Sequence, residues 1–268
     1  MNRYEQTFAR LRAKNEIGFI PFAVAGDPDL ATSESIFRAY IDGGADILEI
    51  GYPFSDPVAD GPVNQRAGQR AIAAGLDHER FFGLIRKIRA ISDIPIGLLG
   101  YANTMLHLGC ERFCRESAEA GLDSLLFADM PPEESGELRE SMVRHGLGSV
   151  FIVSELTPAE RMKMIVSQVD SFVYVVSRLG ATGVDTKLGT EVASTLQRLK
   201  KVTKKPLAVG FGISTPEHVA AMAAAGADAA IVGSALVSVI EEHAKHPKNL
   251  CRELTRHVAA YKAATRKT

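Results

Sequence analysis

The segment LEIGYPFSDPVADGP, from Leu48 to Pro62, brings Glu49, Asp56 and Asp60 close together in the chain. Glu49 stands inside an otherwise apolar run. In a strand its neighbours Leu48 and Ile50 point to the opposite side of the pleat. A carboxyl on the inner side of a closed sheet is partly desolvated. Desolvation raises its pKa and makes it a usable acid near neutral pH. The competing reading is an ion-paired structural glutamate, because an unpaired buried carboxylate is costly. Asp56 and Asp60 sit among prolines and glycines, where aspartate often serves only as a turn residue. Spacing alone does not choose between them.

A second kind of chemistry is anion binding. Three glycine-bearing segments follow late apolar runs: GATG at Gly180 to Gly183, GFGIS at Gly210 to Ser214, and GSA at Gly233 to Ala235. Glycine lets the backbone approach an anion, and a following helix directs N–H groups at it. GATG lacks the GxxxxGK spacing of a nucleotide P-loop. Each segment is weak by itself; their shared placement after successive strands points to a phosphate site.

These residues need a scaffold, and the chain supplies one. A phrase recurs as DGGADILEI from Asp42, EAGLDSLLF from Glu119 and AAGADAAIV from Ala224. Each closes a helical pattern on glycine and enters a short apolar run, the helix-to-strand half of a βα unit. TPAE at Thr157 and STPE at Ser214 carry a hydroxyl with a glutamate three residues on, the signature of a helix start. Strands are predicted to begin near Gly18, Asp46, Pro95, Asp123, Gly148, Phe172, Leu207 and Asp228. Amphipathic segments lie between them, at Ser33–Asp42, Glu79–Ile91, Glu111–Ala120, Glu133–His145 and Glu191–Lys201. Tyr4, Phe8 and Leu11 mark an extra N-terminal helix. Eight strands alternating with helices over 268 residues predict a single-domain α/β fold spanning residues 1–268, a (β/α)8 TIM barrel. A doubly wound sheet is the alternative, but no GxGxxG follows the first strand. Long loops are predicted after strand two, Gly51 to Pro62, and after strand six, Ser177 to Gly189. Both fall on the face where barrel enzymes keep their chemistry.

Composition narrows the function classes. A formal net charge of -1, with 46% hydrophobic and 24% charged residues, gives no electrostatic case for nucleic acid or an anionic membrane. Cys110, Cys114 and Cys251 fit neither a zinc ribbon nor a CxxC pair and read as free thiols in a reducing cytoplasm. The histidines form no HExxH pattern, and no metal site is predicted. The N-terminus lacks the apolar core of a secretory signal. The most apolar stretch, Ala229 to Ile240, is too short to span a bilayer. The tail from His243 to Thr268 carries no motif and is predicted to be a terminal helix.

The chain resembles the tryptophan synthase alpha chain family along nearly its whole length. PFSDPVADGP at Pro53 to Pro62 is the most specific match. YAN at Tyr101, DMPPEE at Asp129, TPAER at Thr157, SRLGATG at Ser177, GFGIS and GSA recur in register with it. The resemblance implies cleavage of indole-3-glycerol phosphate to indole and glyceraldehyde 3-phosphate, with no cofactor in this subunit. It makes Glu49 the acid–base residue and Asp60, not Asp56, the carboxylate that receives the indole N–H. It places Tyr174 near Glu49 and gives Thr182 the ordering of Asp60. Phe22, Leu99, Tyr101, Ala128 and Phe211 would form the slot for the ring. Gly183, Gly212, Gly233 and Ser234 would hold the phosphate.

The resemblance also implies a partner, a beta subunit that carries pyridoxal phosphate and consumes the indole. It would dock on the face carrying Pro53, Asp56, Pro57, Asn103, Pro131 and Pro132. Two positions depart from the family pattern. Tyr52 replaces a small aliphatic residue, which would bear on the partner or on loop motion. Gly100 replaces a larger residue, which would loosen the wall beside the ring slot. Two other functions remain open at this level: a stand-alone lyase that releases indole, and a subunit that senses a phosphorylated ligand without chemistry.

Overall fold

The computed structural model describes residues 1–176, 186–210 and 212–267, with backbone alone at 186–191. The elements run in order α1 (Arg3–Ala13), β1 (Gly18–Val24), α2 (Leu30–Asp42), β2 (Leu48–Gly51), α3 (Pro62–Ala73), α4 (His78–Ile91), β3 (Ile96–Gly100), α5 (Ala102–Leu106) and α6 (Cys110–Ala120). They continue with β4 (Ser124–Phe127), a 3-10 turn (Pro132–Glu134), α7 (Gly136–Arg144), β5 (Gly148–Ser149), β6 (Phe151–Ser154), α8 (Ala159–Ser167) and β7 (Val173–Val176). The last are α9 (Thr186–Lys200), β8 (Leu207–Gly210), α10 (Pro216–Ala225), β9 (Ala229–Val232), α11 (Ser234–His243) and α12 (Pro247–Ala263).

All strand pairings are parallel, in the order β5-β4-β3-β2-β1-β9-β8-β7-β6. The fifth predicted strand is split. Its first half, β5, pairs with β4, and its second half, β6, pairs with β7. Val150 joins them and still donates its N–H to the Leu125 carbonyl at 3.2 Å. Nine segments therefore fill eight positions of a nearly closed (β/α)8 barrel.

The interior and exterior of the barrel are separate apolar layers. Leu48 and Ile50 belong to the outer layer with Phe37, Phe81, Ile85 and Leu98. Ile20, Ile47, Leu126, Val150, Phe172 and Tyr174 fill the inside. Helix α1 plugs the N-terminal end. Tyr4, Phe8 and Leu11 are buried against that interior cluster, as their spacing predicts. The Tyr4 hydroxyl lies 2.7 Å from Ser124 Oγ. The two ends of the chain meet there: Ile17 N–H donates to the Thr265 carbonyl and Lys267 N–H to the Asn15 carbonyl, each at 2.9 Å.

The recurring glycine–aspartate phrase has a structural meaning. Gly44, Gly121 and Gly226 take φ of 97°, 101° and 89°, the left-handed turn that ends a helix. The aspartate two residues on staples the next strand to its neighbour. Asp46 accepts from Phe19 N–H at 2.9 Å, Asp123 from Ile96 N–H at 2.8 Å, and Asp228 from Leu207 N–H at 2.9 Å. Asp170 repeats the contact with Ser149 N–H at 3.3 Å. The staples join strand positions one to two, three to four, five to six and seven to eight.

Three local expectations are corrected. The helix at Thr157 starts after Pro158 with no side-chain cap; Thr157 Oγ1 instead accepts from Ser154 N–H in the preceding turn. At STPE the cap is Thr215 rather than Ser214, and it accepts from His218 N–H. Helix α9 begins at Thr186, so the loop after the sixth strand position ends before the predicted Gly189. Among the described residues no helix is long and apolar enough to cross a membrane.

Candidate active site

Glu49 is the second residue of β2, in register with Phe22 on one side and Gly97 on the other. The pleat turns Leu48 and Ile50 outward and leaves Glu49 inside the barrel, only 4% exposed. Burial is the main force on its carboxyl, and the nearby charge of Asp60 adds to it; together they push its pKa up to about 8. Among the described residues no cation or hydrogen-bond donor offsets this. The structural ion-pair reading therefore finds no support. Glu49 is held as a neutral acid at neutral pH. A small cavity lies beside it, bordered by Tyr4, Ser124 and Phe172.

Tyr174 on β7 is buried within the same interior. Burial raises its hydroxyl far above the ordinary value, and the charges of Glu49 and Asp60 act in the same direction. Its position depends on Gly210. A Cβ there would sit 2.5 Å from the Tyr174 hydroxyl oxygen, a contact no side chain tolerates.

Asp60 closes the loop between β2 and α3. Its N–H donates to the Pro57 carbonyl at 3.0 Å. Gly61 and Pro62 then start α3, with proline at a position where the missing N–H costs nothing. The Tyr101 hydroxyl ties this loop down: it accepts from Ala59 N–H at 3.0 Å and donates to Asp60 Oδ2 at 3.1 Å. The Phe54 ring stacks on Tyr101 at 5.3 Å. Partial burial raises the Asp60 pKa, while hydrogen bonds from Tyr101 and Asn64 pull it back. Asp56 is different. It lies exposed on the outside of the loop, 2.5 Å from the Ser55 hydroxyl. Geometry thus separates two aspartates that spacing could not.

A narrow cleft opens between this loop and the barrel mouth. Phe22, Leu99, Tyr101 and Ala128 line it together with Asp60, so four residues of the expected ring slot converge. At the far side, Gly233 opens α11 without any side-chain cap. A Cβ on Gly233 would lie 3.6 Å from Phe22 Cδ1, which sets the helix start beside the slot. Ser234 and Gly212 are exposed at the same mouth, and Gly212 has φ of 73°. Thr182, Gly183 and Phe211 lie outside the described residues.

Of the docking residues, Asp56 and Asn103 are exposed and Pro131 and Pro132 are half-buried. Pro53 is buried, and with Pro57 it lines the cavity. Val58 on the loop after β2 and Leu106 at the end of α5 stand out at 84% and 56% exposure, apolar side chains the sequence did not single out.

The two departures form one contact. The Tyr52 ring packs on Phe81 at 4.6 Å, and its hydroxyl lies 3.3 Å from His78 Nδ1. A Cβ on Gly100 would meet Leu98, Phe127 and Tyr52 Cβ at 3.2 to 3.6 Å. Gly100 therefore leaves no gap in the wall, contrary to expectation; the larger Tyr52, Leu98 and Phe127 occupy the space. A further group was missed. Asp27, buried after β1, takes two bonds from Arg70 of α3 at 2.7 and 3.0 Å, and Arg70 also reaches Glu241 of α11 at 2.8 Å. This chain of charges fixes the helix that follows Asp60 against the helix that starts at Ser234. Among the described residues no cluster of histidine, cysteine, aspartate and glutamate could hold a metal ion.

The family described as tryptophan synthase alpha chain matches residues 8–266. The tryptophan synthase alpha chain of Methanoregula boonei is 46% identical over 264 residues, 98% of both chains. This chain belongs to the tryptophan synthase alpha chain family. Solved structures agree. The subunit alpha of Legionella pneumophila str. Paris superposes with a TM-score of 0.90 at 34% identity, covering 99% of this chain and 98% of that one. An open form of tryptophan synthase from M. tuberculosis gives 0.88 at 29% identity, with 100% of both chains covered. The family's reaction is the indole-3-glycerol phosphate cleavage half of tryptophan synthesis.

Proposed function

We propose that Glu49 and Asp60 carry out the lyase reaction of this tryptophan synthase alpha chain, and that the whole chain serves as one catalytic barrel domain. The observation that carries this is a buried Glu49, unpaired among the described residues and held protonated near neutral pH, with Asp60 close enough to feel its charge. Glu49 gives its proton to the indole carbon that bears the side chain. The ring nitrogen becomes positively charged, and Asp60 stabilises it through the N–H. The Glu49 carboxylate then takes the proton of the neighbouring hydroxyl. That oxygen forms the aldehyde of glyceraldehyde 3-phosphate, the carbon–carbon bond breaks, and its electron pair returns to the ring to give indole. No cofactor takes part in these steps.

Tyr174 shapes the floor beside Glu49, and Phe22, Leu99, Tyr101, Ala128 and Phe211 hold the ring. Gly183, Gly212, Gly233 and Ser234 grip the phosphate, using the uncapped start of α11, and Thr182 orders Asp60. The face bearing Asp56, Asn103, Pro131 and Pro132, with Val58 and Leu106, docks a beta subunit that holds pyridoxal phosphate, in an αβ heterotetramer in the cytoplasm. The test is indole formation from indole-3-glycerol phosphate, with and without that subunit. Asp60→Asn is expected to lose about 10²-fold or more; a variant near the wild-type rate overturns the role.

A further inference from the structure

Helix α3 buries one stripe, at Ala67, Gly68 and Ala71. Asn64 stands at the head of that stripe, three and four residues before Ala67 and Gly68, where the pattern calls for an apolar side chain. It lines the same cavity as Asp60, Phe22 and Leu99. Its amide lies close enough to the Asp60 carboxylate to act on it as a donor and lower its pKa, and among the described residues its Oδ1 is buried with no hydrogen-bond partner. A carboxylate only accepts, so the N–H₂ end of the amide must face it. An unpaired polar atom on a buried stripe is a standing cost, and it is tolerated here at the wall of the cavity.

We propose that Asn64 is a positioning residue for this reaction: with Tyr101 it clamps the Asp60 carboxylate from two sides, and its free Oδ1 accepts a donor from the ligand that fills the cavity. The inference rests on the role given to Asp60 above. The clamp fixes the carboxylate before substrate arrives, and its N–H favours the charged form that must face the ring nitrogen. Asn64 acts through Asp60 on the rate, and through Oδ1 on substrate affinity.

The experiment is steady-state indole formation by Asn64→Leu, Asn64→Ala, Asp60→Asn and the Asp60→Asn/Asn64→Leu double variant, each with a pH profile. Leucine keeps the volume and favours the helix, and alanine guards against a repacking artefact. Both single Asn64 variants are expected to lose about tenfold or more in kcat/KM, with a higher KM and a lower kcat. The acid limb of the profile should move to higher pH, because Asp60 has lost a donor that kept it ionised. In the Asp60→Asn background, Asn64→Leu should lower kcat no further. Wild-type kinetics in both Asn64 variants beside an impaired Asp60→Asn would overturn this inference alone. So would an equal kcat loss with and without Asp60. An active Asp60→Asn would overturn the underlying role of Asp60 and this inference with it.

Discussion

At the N-terminal end of the strands, Asp123 accepts from a neighbouring strand and meets Arg89 at 2.6 Å and Arg3 at 2.9 Å. Asp46 does the same with Lys262 at 2.8 Å and Arg10 at 3.5 Å. Inside the barrel, on the way to the opposite end, Glu49 has no such partners among the described residues and holds its proton instead. The residue chemistry is nearly the same; what differs is the company. A carboxylate satisfied by backbone and cations is an element of the frame. One denied them keeps a reactive proton, at a cost to stability.

The sharpest way to break this contrast is to remove one carboxyl from each end. Glu49→Gln is expected to lower kcat for indole formation by about 10²–10⁴-fold while the protein folds normally. Asp123→Ala is expected to cost about 2–4 kcal/mol of stability in denaturant unfolding while leaving kcat nearly intact. A stable but inactive Asp123→Ala would collapse the distinction.

The pH dependence sharpens it. kcat/KM is expected to fall above about pH 8 as Glu49 ionises. Asp60→Asn should move the residual alkaline limb downward, because its charge helps hold the proton. Stability follows the same linkage. The folded state keeps a proton that the unfolded chain releases above its ordinary carboxyl range, so stability falls as pH rises from about 4.5 to about 8. Calorimetry of Glu49→Gln should show a Tm above wild type at pH 8.5 and a smaller difference at pH 5. Smallest is Tyr52→Phe. Losing the contact with His78 should cost about 1 kcal/mol, seen in unfolding and not in kcat.

Much of the frame was legible because it repeats. The glycine–aspartate phrases mark helix ends and strand starts at three places. The fourth staple, Asp170, escaped notice because its turn carries no glycine. Glu49 was legible because a single charge in an apolar strand has few explanations. Spacing alone did not separate Asp60 from Asp56; the family resemblance chose Asp60, and the loop lines the cavity with it while Asp56 stays exposed. Asn64 went unseen, although a polar residue at the head of the stripe formed by Ala67, Gly68 and Ala71 was the available signal. The Gly100 gap was misjudged because Tyr52, far from it in type and close in space, fills the volume. Capping at Thr157 failed because the hydroxyl found a nearer N–H in the preceding turn.

The seam where Ile17 meets Thr265 and Asn15 meets Lys267 has a further consequence. Neither terminus is anchored by its own helix alone; each borrows backbone partners from the other. Removing Thr265 to Lys267 strips those partners from Asn15 and Ile17, the link between α1 and β1. Loosening of the segment that follows α12 is therefore felt at the turn between α1 and β1.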